Sequence, residues 1–292
     1  MRTRKEPERA GIHAIGPEEK PKTNSNAGAD YRYSRLTAGL LMNDFRFKHG
    51  APVAGNPFPD FDLRTTEGNS VRKSDFVGQK PLLLVFGSTT CPMTISSLPA
   101  VKRLHSEFGR QVEFVTLYVR EAHPGEKIPQ PQAFPEKLDN ARSLKKQEGI
   151  AWSVAVDDVD GTLHRLLDTK PNAAYLMGRD GRLAFRSLWA GDGKGLRQAL
   201  QAVSLEEIPA KQQSRAMFGP LSEGLGHIQE ILSRAGRRAQ RDMILAAPPM
   251  ALAGWLAALF RPLSKEKRGL ATLTTLAALA SIVVVALLGR LA

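Results

Sequence analysis

The 292-residue chain holds a single cysteine, Cys91, and that scarcity excludes whole classes of chemistry. An intrachain disulfide, a CxxC redox pair and a cysteine-rich zinc site each need a second thiolate. The six histidines, at 13, 49, 105, 123, 164 and 227, fall at no metal-ligand spacing such as HExxH. No metal and no bound cofactor are therefore expected. The N-terminus lacks the apolar run that a secretory signal needs. The net charge of +12 calls for acidic partners, but no aromatic–basic interleaving accompanies it. Nucleic acid is thus not an expected partner, and an anionic membrane is.

What the chain does contain is organised around residues 81–94, PLLLVFGSTTCPMT. The unbroken apolar run at 82–86 suits a strand buried on both faces. Gly87, Ser88, Thr89 and Thr90 break it with turn and cap chemistry. Pro92 then opens a helix reaching about Phe108, with Ile95, Leu98, Val101, Leu104 and Phe108 on one face. A thiol at a helix N-terminus meets unpaired N–H groups and the positive end of the dipole, which favour the nucleophilic thiolate. Hydroxyls at Thr89, Thr90 and Thr94 add further donors. A buried structural cysteine is the alternative.

Residues 1–31 are polar and rich in Pro, Gly and Asn, and read as a disordered tail. Residues 32–54 form a lead-in with one short helix. The span 55–205 reads as an α/β domain, a mixed central sheet with helices on both faces. Its strands are expected near 58–63, 71–77, 82–86, 112–119, 152–156, 171–177 and 183–188, the last two joined by a hairpin turn at 179–182. Parallel pairing of 82–86 with 112–119 puts the EAHP turn at 121–124 on the rim that holds Cys91, where His123 could exchange protons with it. Asp157, Asp158 and Asp160 lack the rest of a calcium loop and read as a solvated turn.

Beyond the domain, 206–242 reads as a basic amphipathic linker helix. Residues 243–262 form an apolar interfacial or second membrane segment interrupted by Pro248 and Pro249. Residues 269–290 carry about 20 uncharged positions, the length of a transmembrane helix. The basic residues at 261–268 then predict a single-pass membrane protein whose domain faces the cytoplasm.

GNPFPDFDL, the Cys91 elbow and TKPNAAYLMGRDGRLAFR resemble the thioredoxin superfamily in its redoxin or peroxiredoxin-like form, which implies a cis-proline at Pro171 facing the cysteine. FGSTTCP (86–92) and LYVREAHP (117–124) resemble the iodothyronine deiodinases more closely. Cys91 stands where the animal enzymes carry selenocysteine, and His123 matches their active-site histidine. The resemblance implies a thiol-dependent oxidoreductase, and the C-terminal segment read above makes it a membrane-anchored one. Its single nucleophilic Cys91 would reduce a peroxide or remove a halogen from an aromatic substrate. Lacking a resolving cysteine, it would be recycled by an external thiol such as glutathione or thioredoxin. The expected catalytic residues are Cys91, His123, Thr90 and Thr94, and the expected pocket residues are Ser88, Pro92, Glu121 and Pro171. A homodimer is one option for its assembly. The alternative function is a catalytically inactive, tail-anchored interaction protein on the same scaffold.

Overall fold

A computed structural model describes residues 31–288; the expected tail, Tyr31 apart, lies outside the described residues. A short helix α1 (Ala38–Asp44) precedes a domain built from β1 (Asp62–Thr65), β2 (Ser70–Arg72), β3 (Leu82–Gly87), α2 (Pro92–Phe108), β4 (Glu113–Tyr118), α3 (Phe134–Glu148), β5 (Ser153–Val156), α4 (Thr162–Leu167), β6 (Ala174–Met177), β7 (Leu183–Ser187) and α5 (Gly193–Ser204). A two-residue strand β8 (Gln213–Ser214) completes an eight-stranded sheet in the order β2-β1-β5-β4-β3-β6-β7-β8.

The apolar run of β3 lies at the centre of that sheet because both its faces are covered. It pairs parallel with β4 and antiparallel with β6, with Val85 opposite Thr116 on one side and Ala174 on the other. Leu83 and Val85 join the core formed with α2, α3 and α5. Leu82, Leu84 and Phe86 join the opposite core with Phe58, Phe76 and the apolar residues of α4. The two-residue side-chain period thus feeds two cores from one strand, and each buried Leu or Phe contributes roughly 1.5–3 kcal/mol. The mixed sheet, its helices on both faces and the crossover from β3 through α2 to parallel β4 make a thioredoxin-like α/β fold.

Five further helices follow: α6 (Phe218–Leu225), α7 (Ile228–Ala235), α8 (Arg237–Ala246), α9 (Pro248–Ala257) and α10 (Lys265–Leu288). They gather a third apolar cluster from Leu36 through Leu225, Ile228, Leu232 and Met243 to Ala251, which forms a layer over the end of the sheet that carries Cys91.

The expected transmembrane helix at 269–290 is corrected: among the described residues no helix is long and apolar enough to cross a membrane. The helix there starts earlier, at Lys265, and takes Lys265, Glu266, Lys267 and Arg268 into its first turn. Its next turn is packed on α6. A Cβ on Gly269 would strike the Ser222 carbonyl, and one on Gly226 the Lys265 carbonyl, so glycine permits the close crossing. Thr272 is buried as a result. Positions 289–290 lie outside the described residues. Without that span, the single-pass topology with a cytoplasm-facing domain loses its basis.

Candidate functional site

Cys91 sits at the N-cap of α2 with Pro92 as the first helical residue. Its N–H donates to the Ser88 carbonyl at 3.3 Å, and its carbonyl accepts from Thr94 N at 3.1 Å. The strand must turn tightly to deliver it. Gly87 allows this, because a Cβ there would lie 2.8 Å from Thr94 Cγ2.

The sequence predicts a thiol biased toward thiolate by its helix terminus. The structure reverses that direction. Cys91 is 1% exposed, and burial pushes its thiol up to about 11. The Thr94 hydroxyl and the N–H groups of Thr94 and Met93 pull the other way, yet none closes a capping hydrogen bond to the side chain. Desolvation disfavours the charged form more than these dipoles favour it.

Behind the cysteine turn lies a closed polar network. The fully buried Glu121 accepts from Thr90 N at 3.2 Å, Thr90 Oγ1 at 2.7 Å and Asn140 Nδ2 at 3.3 Å. Its other partner is the Tyr118 hydroxyl, which in turn accepts from Thr89 N at 3.3 Å and contacts Thr89 Oγ1 at 3.0 Å. Thr90 Oγ1 also accepts from His123 N at 3.2 Å. Gln130 clasps the Glu121 backbone from both sides, at 3.0 and 2.7 Å. Burial raises the pKa of Glu121, while the bonds from Tyr118 and Thr90 lower it.

In front of the turn is a cavity of about 40 Å³, walled by Cys91, Pro92, His123 and Pro171 together with Asp44, Phe45 and Trp189. The helical layer closes it with apolar side chains only, among them Leu225, Ile228, Met243 and Met250. Burial lowers the His123 imidazole to about 4, and its Nδ1 is buried without a partner. The cis-proline that the resemblance implied at Pro171 is absent: no described peptide bond is cis. Pro171 lines the cavity in the trans form.

Of the residues chosen from the sequence, Cys91, Pro92, His123 and Pro171 thus meet at the cavity. Ser88, Thr90, Thr94 and Glu121 lie behind the turn. There Ser88 donates its N–H to Thr94 Oγ1 at 3.2 Å and accepts from Ala122 N at 3.3 Å. The Thr90 hydroxyl is engaged by Glu121. Sequence reasoning missed Asp44, Trp189, Tyr118 and Asn140. Tyr118 alone had a signal, three residues before Glu121 at the end of a predicted strand. Among the described residues no group of three or more His, Cys, Asp or Glu is placed to hold a metal ion.

The model of the iodothyronine deiodinase family matches residues 42–170, which contain Asp44, Cys91, Pro92 and His123 of the cavity wall. Over that stretch the chain is similar to the iodothyronine deiodinases, on the thioredoxin-like fold described above. It is 28% identical over 158 residues to a thyroxine 5-deiodinase of Gallus gallus, covering 49% of this chain and 59% of that one. It is 32% identical over 119 residues to a thyroxine 5-deiodinase of Rattus norvegicus, covering 37% and 38%. The chain therefore spans well under two thirds of the length of either relative. Among solved structures it is similar to a hypothetical protein from Sinorhizobium meliloti 1021, SMc02350, with a TM-score of 0.45, 22% identity and coverage of 57% of this chain and 93% of that one. A putative thiol:disulfide interchange protein DsbE from Chlorobium tepidum gives a TM-score of 0.43, 21% identity and coverage of 53% and 99%. The match to the family model ends at Lys170, so Pro171, Trp189 and the helical layer over Cys91 lie outside it.

Proposed function

We propose that the chain is a thiol-dependent oxidoreductase that removes a halogen from an apolar aromatic substrate, with Cys91 as the nucleophile. The supporting observation is the meeting of Cys91 from FGSTTCP and His123 from LYVREAHP on one otherwise mostly apolar cavity wall. Burial keeps the His123 imidazole neutral near pH 7, and its unpartnered Nδ1 is open to accept the thiol proton. The sulfur then attacks the halogen: the carbon–iodine bond breaks, a sulfur–iodine bond forms, and the carbon takes up a proton. An aryl iodide and Cys91 thiol give the arene and a sulfenyl iodide. One external thiol, of the glutathione or thioredoxin type, displaces iodide to leave a mixed disulfide. A second returns Cys91 as thiol and departs as disulfide. The external reductant is required because the chain has no second cysteine.

A peroxide is the second reading, favoured by one observation. A cavity of about 40 Å³ takes a small peroxide as it stands, whereas an iodinated ring requires the helical layer to move. The test is release of iodide from an aryl iodide by the full chain with excess dithiol, compared with consumption of peroxide. Iodide release should fall by roughly 10³-fold or more in Cys91→Ser, the scale of losing a nucleophile. Peroxide consumption that depends on Cys91 without iodide release selects the second reading. Neither activity leaves an interaction protein on this scaffold.

A further inference from the structure

Asp44 closes α1 and shares the cavity wall with Cys91 and His123. Its carboxyl makes no hydrogen bond or ion pair among the described residues. The cations nearest it are committed elsewhere. Lys170 Nζ donates to the Asn43 carbonyl at 2.8 Å and pairs with Asp168 at 3.2 Å. The Arg120 guanidinium lies over the rings of Tyr31 and Tyr33, at 4.9 and 4.7 Å, and donates to the carbonyls of Tyr31 and Thr169. From the covering helices the cavity receives only apolar groups. Asp44 is half-buried, and an unpaired carboxyl on the same cavity wall as a thiol and an imidazole is placed for a chemical task. Burial pushes it up to about 7, against the lowering fields of Arg120 and Lys170 and with the raising field of Asp168.

The reaction proposed above lacks one participant. Neutral His123 takes the thiol proton, but the carbon that loses its halogen must gain one. We propose that Asp44 is the acid of this site, its carboxyl delivering the proton to the carbon and recovering it from His123. This inference rests on the dehalogenation reading. In one turnover the thiol proton moves to His123 Nδ1, the Asp44 proton moves to carbon as the carbon–iodine bond breaks and the sulfur–iodine bond forms, and the imidazolium returns its proton to the Asp44 carboxylate. The sum remains arene plus sulfenyl iodide, with both side chains restored.

The full chain is tested as Asp44→Asn and Asp44→Glu by two readouts: the pH profile of iodide release, and the ultraviolet thiolate absorbance of Cys91 blanked by Cys91→Ser. Wild-type release declines as pH rises through about 7, because the acid form is lost. In Asp44→Asn that limb disappears and release falls about 10²-fold, the scale of a lost acid. Ionised Asp44 also holds the Cys91 thiol up, so in Asp44→Asn the thiolate forms at lower pH even as turnover falls. Asp44→Glu restores the limb and part of the rate. An unchanged limb and rate in Asp44→Asn overturns the proposal, as does a rate lost equally in Asp44→Glu with no movement of the thiolate titration. If wild type releases no iodide, the dehalogenation reading fails. The acid role of Asp44 falls with it, and a thiolate titration that moves in Asp44→Asn and returns in Asp44→Glu then shows only that the Asp44 charge acts on Cys91.

Discussion

Two polar surroundings meet at Cys91, and they differ in how completely their hydrogen bonds are made. Behind the turn, Glu121 is satisfied by Thr90, Tyr118 and Asn140, and its backbone is clasped by Gln130. In front, His123 Nδ1 and Trp189 Nε1 are buried without partners and the Asp44 carboxyl is unpaired. Buried polar groups in folded proteins are nearly always bonded, so a cluster that is not bonded marks where a ligand completes the set. The rear network holds the nucleophile in place; the front groups are kept free to react. This difference predicts opposite responses to substitution on the two sides.

The largest effect belongs to the rear. Glu121→Ala removes the common acceptor and leaves the buried donors of Tyr118, Thr90 and Asn140 facing nothing. The loss expected from urea unfolding is roughly 3 kcal/mol or more. Tyr118→Phe, which removes one member, should cost about 1–3 kcal/mol. A neutral Glu121→Ala would mean that the network contributes no stability, and the contrast between the two sides would fail.

The front side should govern how stability changes with pH. Asp44 rises from 3.8 to about 7 on folding, so the native state binds its proton more tightly. Its contribution is full below about pH 4 and is lost as pH climbs to about 7. His123 falls from 6.5 to about 4, so the unfolded state binds that proton more tightly, and stability is lost as pH drops from about 6.5 to 4. Between those limits the two slopes oppose each other. Asp44→Asn should therefore unmask a fall in melting temperature on acidification, and His123→Gln a rise. Asp44→Asn should also be more stable than wild type at pH 8 and gain nothing at pH 3.5. Parallel curves for all three proteins would show that neither group is desolvated by folding.

The rear network was half legible in the sequence, the front hardly at all. The apolar run of β3, the Gly87-to-Pro92 break and the EAHP turn are short-range patterns. Right-handed parallel crossover then brings Cys91 and His123 to one rim. The hairpin was equally legible, since Gly181 adopts φ +72° between β6 and β7, as a turn glycine does. Asp44 carries no such pattern: LMNDF reads as the end of an ordinary short helix, and only tertiary packing sets it beside a cysteine 47 positions later. The helix dipole argument for Cys91 was sound locally and was outweighed by burial, which depends on α6–α9 covering the site. The apolar C-terminal run likewise signalled what avoids water, not whether lipid or α6 covers its first turns.

The smallest expected effect is the finest probe of the comparison. Trp189 is 3% exposed, and its ring stacks edge-on against Phe45 with centroids 6.1 Å apart, so it is part of the packing as well as the cavity wall. Trp189→Phe keeps an aromatic there and removes an N–H that has no bond to lose. Its cost should stay under about 1 kcal/mol, smaller than that of Tyr118→Phe, even though tryptophan is the larger residue. Where a substrate accepts a hydrogen bond from that N–H, KM for the aryl iodide rises while stability is nearly unchanged. A loss of stability equal to that of Tyr118→Phe would show that the indole N–H is already satisfied in solution, and the front of the site would then be as closed as the rear.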